Sequence, residues 1–443
     1  MKEKKAKQDF FATRSTSWWM VALAMIGSCM SGVTFVSVPG MVAASGFGYL
    51  QMCMGFFLGY LVIAFVLTPL YFKLGVVSIY QYLEQRFGIS SYKTGAWFFF
   101  ISKMLGASVR LFLVCATLQL LVAGPLGVPF WVTVVLSVFL VWLYTFRGGV
   151  KSVIWVDMVK TLCMLVTVGL CLVLIGREVG TWDHSLSRVF YFDDVNHPQF
   201  FVKQLLGGLF TVIATTGLDQ DMMQRTLACK NVRDSQKNLV VSSLLQIVVI
   251  ALFLVLGVFL YQFAALHGIQ EKGDALFPAV ACSSFLPPVV GVLFVAGLIA
   301  AGFPAGGSAL TALTTSFTVD ILGGLKRADS DRLRRWVHVG MAVGMVVCIL
   351  VFSALNSTST IDAVYRLASY TYGPLLGLFF FGILSKREVR DRWVPMVCIL
   401  APVLCLVLDL NSERWFGGYH FSYELLLLNA GFTALGLLLL RKR

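Results

Sequence analysis

A chain of 443 residues that is 58% hydrophobic and only 13% charged, with a mean hydropathy of +0.83, is too apolar to cover a soluble core with polar surface. Ten cysteines lie mostly inside apolar runs without CxxC or Cys/His spacing, so neither a zinc site nor a disulfide framework is suggested. The formal net charge of +13 does not indicate nucleic acid, because the basic residues recur in short gaps between apolar runs and so set membrane orientation.

The N-terminal MKEKKAKQDFFATRSTS (1–17) is basic, but the apolar run after it exceeds a signal-peptide core and no small-residue cleavage pattern follows, so it reads as mature chain. Apolar windows follow at 18–44, 48–72, 95–123, 128–146, 153–176, 201–218, 238–263, 286–318, 336–355, 362–385, 393–409 and 422–440, which predicts twelve spans. With the N-terminus in the cytoplasm, Lys73, Arg86, Arg147, Arg225, Lys230, Lys326, Lys386 and Arg443 fall inside. Arg177, Arg188, Lys203, Lys272 and Arg414 fall outside. Both termini are therefore expected in the cytoplasm of a plasma (inner) membrane protein. No linker or like-charge block marks a soluble domain.

The first span, Trp18 to Gly40, is interrupted by Gly27-Ser28-Cys29-Met30-Ser31-Gly32. Two readings stand: an unwound segment lining a binding cavity, or small residues for close helix packing. The sixth span ends in Thr215-Thr216-Gly217-Leu218-Asp219, where β-branched, glycine and polar residues replace an apolar helical run. Five spans is an odd number, so a repeat of spans one to five as six to ten must be inverted, and its first member must also break. The expected architecture is all-α: repeats over 18–176 and 201–385, with two appended spans over 393–440.

The strings FFATRSTSWW, SGVTFVSVPG, TFRGGVKSVIWVD, TTGLDQDMMQRTLACK and TTSFTVDIL, in that order, resemble successive signatures of the sodium:solute symporter family. The usual extra N-terminal span is absent from the sequence. The resemblance implies the inverted five-plus-five fold of amino-acid-type transporters and alternating access driven by sodium. It also implies a sodium site with carbonyls of Gly27, Met30 and Ala301 and two hydroxyls from the eighth span. Counting back from Asp320 puts those hydroxyl positions on Pro304 and Ala305, which have no side-chain oxygen, whereas sodium needs hard oxygen donors. Ser308 is the nearest hydroxyl further along, with Thr311, Thr314 and Thr315 beyond it.

Asp157 matches a position at which some members form a second sodium site, and Lys160 stands one helical turn on. Lys160 reads either as a stand-in for the ion in a sodium-independent or proton-coupled carrier, or as an interfacial lysine paired with Asp157. Lys103 and Arg110 share a face of the third span. Arg110 reads as a clamp for a solute carboxylate or as one half of a structural ion pair with Asp157, Asp219 or Asp362, and Lys103 as a residue that snorkels or lines the exit path. Ser31, Thr34, Thr215, Thr216 and Gly217 are expected to bind solute, with Gln51 and Gln119 as secondary candidates. Asp219, Gln220, Gln224 and Arg225 are expected to anchor a loop at the inner mouth, and Arg366, Tyr365, Tyr370 and Tyr372 to belong to a gate or to packing.

HExxH, GxSxG and phosphate-cradling motifs are absent, which argues against an enzyme and against an organic cofactor. The sequence points to a carrier of a small, carboxylate-bearing solute that sits in lipid without a nucleic-acid partner. A transporter-like solute sensor and a channel are the rival classes. The sequence leaves the oligomeric state open.

Overall fold

The computed structural model describes residues 16–75, 78–145, 150–180, 183–323, 330–355, 360–417, 419–421 and 423–441. The basic segment 1–15, Arg147, Lys326, Arg327, Lys442, Arg443 and the side chain of Pro304 lie outside that description. Each predicted window coincides with helix. The first is α1 (Trp18–Cys29) plus α2 (Gly32–Gly40), and the second is α3 (Tyr49–Val62), which runs on through a π turn to Leu74. Then come α4 (Ile89–Leu118), α5 (Phe130–Thr145) and α6 (Val150–Val179). The sixth is α7 (Phe201–Val212) plus α8 (Gln220–Thr226). It is followed by α9 (Val232–His267), α10 (Pro288–Ser316), α11 (Ser330–Leu355), α12 (Thr360–Leu384), α13 (Val394–Leu410) and α14 (Leu425–Leu439).

Eight of these helices are long and apolar enough to cross a membrane unaided, and the two bent pairs raise that to ten. α5 and α14 are shorter apolar helices.

Spans five places apart fall in the same packing group. The first, second, sixth and seventh pack as one bundle, while α4, α5, α10 and α11, the third, fourth, eighth and ninth, pack as a second group. α6 joins the groups by lying on α1, α9 and α10. α12 lies on α4 and α14.

With no hydrophobic drive between helices in lipid, close backbone approach and buried contacts hold such a fold. A Cβ on Gly55 would sit 2.2 Å from Leu205 O, and one on Gly208 would sit 2.2 Å from Met52 O, so α3 and α7 meet glycine to glycine. Phe35 of α2 packs against Phe253, Phe277 and Phe294 with ring centroids 5.8, 5.3 and 5.5 Å away. Asp391 accepts from Ser90 N (2.8 Å) and Ser91 N (2.9 Å), satisfying orphan amides at the start of α4.

Both expected breaks are present, bent by 59° and 77°. In the first, only Met30 (φ −93°, ψ 114°) and Ser31 (φ −110°, ψ −178°) are extended. Ser31 Oγ caps α2 by accepting from Val33 N at 3.3 Å. Gly27 stays helical, and its missing side chain serves packing: a Cβ there would lie 2.3 Å from Thr161 Oγ1 and 2.5 Å from Asp157 O. In the second, Ile213–Gly217 forms a π turn and Asp219 caps α8 through Asp221 N (2.9 Å) and Met222 N (3.2 Å). The carbonyls freed there are taken up by tyrosines: Tyr71 OH donates to Gly217 O (3.0 Å) and Tyr80 OH to Leu218 O (2.9 Å).

Candidate functional site

A cavity of about 80 Å³ lies where the two breaks face α4. α4 presents Ser102, Lys103, Gly106, Ala107 and Arg110, a set at helical spacing, and α1 contributes Ser28 and Cys29. Thr211, Thr215 and Thr216 of the sixth span, Phe56 and Tyr60 of α3, Gln246 of α9, and Tyr365 and Tyr372 of α12 close the walls.

A buried charge network forms the floor. Lys103 Nζ lies 3.0 Å from Asp219 Oδ2 and 3.1 Å from Asp221 Oδ2. Arg225 joins Asp221 (3.2 Å) to Asp157 (2.5 Å), and its guanidinium also donates to Ser28 Oγ. Ser28 Oγ donates to Asp157 Oδ2 at 3.0 Å. Tyr372 OH donates to Asp219 Oδ2 at 3.0 Å. Lys160 stands 3.9 Å from Asp157 Oδ1, only 2% exposed, and its ammonium has no hydrogen-bond partner among the described residues. The network ties the first, third, fifth, sixth and tenth spans together. Burying so much charge is tolerable only because each carboxylate is matched.

Arg110 stands apart from this network. It is half-buried and lines the cavity, and no carboxylate among the described residues lies within ion-pairing distance of it. The three carboxylates that the sequence offered as structural partners are engaged elsewhere: Asp157 by Arg225, Asp219 by Lys103, and Asp362 by Tyr423 OH at 2.6 Å.

Several sequence expectations move. Arg110, Thr215 and Thr216 do come together at the cavity, but Ser31, Thr34 and Gly217 are not among its lining residues. Ser31 is a helix cap, and Gly217 packs against Leu67 and Ile63 with its carbonyl bound to Tyr71. Gln51 holds the loop before α7 through Gln199 O (2.9 Å), and Gln119 binds Val128 O (2.7 Å). Lys103 does not snorkel, since its ammonium is paired at the cavity floor, and Lys160 is not at an interface. Arg366 is exposed and pairs with Asp409 at 2.7 Å. Cys29, Tyr60 and Gln246 escaped sequence reasoning. Gln246 had a legible signal, an amide in the middle of an apolar span.

The donors for sodium are incomplete in this arrangement. Met30 lies at the unwound turn and Ala301 is fully buried, but Ser308 Oγ donates back to Ala305 O (3.2 Å). Thr311, Thr314 and Thr315 likewise bind carbonyls of their own helix. Asp157 is already engaged by Arg225, Ser28 and Lys160.

The model of the sodium:solute symporter family matches residues 10–391. The chain belongs to the sodium:solute symporter family. It is 24% identical over 399 residues to the human sodium/iodide cotransporter, covering 86% of this chain and 61% of that protein. It therefore spans about three-fifths of that cotransporter's length. With the sodium/sialic acid symporter NanT of Aliivibrio fischeri it shares 24% identity over 438 residues, 93% of this chain and 84% of the relative. With human sodium-coupled monocarboxylate transporter 1 it shares 26% over 418 residues, 90% and 66% of the two chains. In fold it is similar to a Na+-coupled sialic acid symporter in a substrate-bound outward-open state, with TM-score 0.78 and 19% identity over 98% of this chain and 91% of that one. A nucleobase-cation-symport-1 family transporter in a closed conformation gives a TM-score of 0.60 at 14% identity, over 96% and 92%.

In this symporter-family chain, Gly106 offers a direct probe of the cavity, because a Cβ on it would meet nothing within 4 Å. Gly106→Phe adds a ring at a residue that lines the cavity, starting from a Cβ in open space. It should therefore lower solute binding by at least about tenfold, while the stability change stays within about 0.5 kcal/mol, as for a substitution that breaks no packing. Equilibrium binding and the thermal midpoint of the same preparation check both halves.

Proposed function

We propose that this chain is a secondary transporter of a small monocarboxylate, working by alternating access in the plasma (inner) membrane with both termini cytoplasmic. The observation that carries this reading is the charge balance around the cavity. Asp157, Asp219 and Asp221 are matched by Lys103, Arg225 and Lys160, and Arg110 is left over. An unpaired guanidinium at this depth is costly until an anion neutralises it, and its planar fork suits a carboxylate. One carboxylate closes the balance, and a dicarboxylate overshoots it. Iodide, sialic acid and monocarboxylates, the solutes named for the relatives, share a single negative charge, and the last two carry it on a carboxylate.

In this reading Thr215 and Thr216 help to hold the solute, and spans one and six form the hinged floor. The Lys103–Asp219 and Asp221–Arg225–Asp157 links close the path on the cytoplasmic side. The test is saturable counterflow of a labelled monocarboxylate in proteoliposomes. Large unitary currents without saturation would replace the carrier with a channel.

Sodium, the coupling ion named for the relatives, is carried over as the first reading, with Gly27, Met30, Ala301, Asp157 and Ser308 as its donors. A second reading rests on a specific observation: Arg225 and Lys160 already supply positive charge beside Asp157, and Pro304 and Ala305 lack hydroxyls. Lys160 then stands in for the ion, and the carrier is sodium-independent or proton-coupled.

The thermal midpoint in NaCl against KCl at matched ionic strength separates the two. Sodium at about ten times its Kd stabilises the folded protein by about 1.4 kcal/mol, so the first reading expects a higher midpoint in NaCl. Equal midpoints support the second.

A further inference from the structure

Asn238, Ser242 and Gln246 stand at four-residue spacing on α9 and so share one face. Ser242 Oγ donates to Ala22 O at 3.2 Å, which turns that face toward α1. One turn further on, Gln246 lines the cavity beside the end of α1. Ser242 Oγ also lies 2.6 Å from Asn238 O and 3.2 Å from Asn238 Oδ1, while the buried Asn238 Nδ2 finds no partner among the described residues. Gln246 has no hydrogen bond to any described residue, although Leu244, Leu245, Ile247 and Val248 flank it. A primary amide in the middle of a membrane span is costly unless something pairs with it, and nothing in α9 does. Gln246 belongs to the bundle and Arg110 to the second helix group, so the two unpartnered polar groups face one cavity from two different bodies.

We propose that Gln246 is a second recognition group for the solute, binding a hydroxyl or oxo group on the carbon chain whose carboxylate Arg110 holds. This rests on the carboxylate reading of Arg110 and narrows it. The preferred solutes are hydroxy- or oxo-substituted monocarboxylates, because an amide both donates and accepts and so takes either group. A solute held at both ends ties the bundle to the second group, which a plain saturated acid does not.

The experiment compares 2-hydroxypropanoate with propanoate, acids that differ by one hydroxyl, in proteoliposome uptake by the wild type, Gln246→Leu, Gln246→Asn and Arg110→Gln. The wild type should prefer the hydroxy acid by about tenfold, the upper range for one net hydrogen bond. Gln246→Leu should bring that ratio to about one while propanoate uptake persists, and Gln246→Asn should restore part of it. Thermal midpoints confirm that the variants fold. A wild type that does not discriminate, or a ratio unchanged in Gln246→Leu, overturns the role of Gln246 and leaves Arg110 standing. Full uptake of both acids by Arg110→Gln, or no uptake of either by the wild type, overturns the carboxylate reading and this one with it.

Discussion

Arg110→Gln should abolish uptake of the carboxylate solute and leave the protein at least as stable as before. Removing one partner of a desolvated, hydrogen-bonded charge pair costs about 2–5 kcal/mol, or roughly 30- to 5,000-fold in affinity. The stability half follows from the missing counter-ion. Because Arg110 pairs with no carboxylate among the described residues, neutralising it strands no charge there and relieves the burial of one. Arg110→Lys keeps the charge and loses the fork, so its affinity should fall between the two. Uptake assays and thermal midpoints in KCl read both halves. A midpoint that drops sharply in Arg110→Gln would show a structural ion pair and remove the clamp.

Arg225→Met should have the opposite signature, a large loss of stability. The guanidinium is 2% exposed and contacts Asp157, Asp221 and Ser28. Breaking a buried pair by removing one side costs about 3–5 kcal/mol, because three buried carboxylates are then left to Lys103 and Lys160 alone. That is a large share of the roughly 5–15 kcal/mol that holds a typical domain together. The double variant Arg225→Met/Asp157→Asn should recover part of the loss, since it removes the stranded charge as well. Denaturation of the four proteins in detergent, treated as a double-mutant cycle, gives the coupling. Simple additivity would mean that the pair does not act as a unit.

The bundle was legible because span length, loop charge and the two interruptions are one-dimensional signals. Arg110 was legible for the same reason: a guanidinium seven residues from Lys103 in an apolar span must face inward. What the sequence hid is three-dimensional. Gly27 and Gly217 looked like the unwound residues, yet the first lies against Thr161 and the second against Leu67, and the chain unwinds at Met30-Ser31. Arg225 sits in a polar motif that reads as a loop anchor, and nothing local shows that α8 folds back to lay it on Asp157, 68 residues away. Lys160 had two readings at one turn from Asp157, and only burial told a snorkelling lysine from an enclosed one.

The tyrosines at the second break carry one more consequence. Tyr71 lies at the far end of the second span, within the bundle. Tyr80 packs tilted against Phe99 of α4 (5.5 Å) and edge-on to Phe379 of α12 (6.5 Å), outside the bundle. Adjacent carbonyls, Gly217 and Leu218, are thus held from opposite sides of the joint between the bundle and the helices around it. Any rotation of one body on the other loads these two hydroxyls unequally. On the proposed transport cycle the pair would act as a strain gauge, one bond slackening as the other holds, and the infrared frequencies of the two isotope-labelled carbonyls should then report which way the site faces.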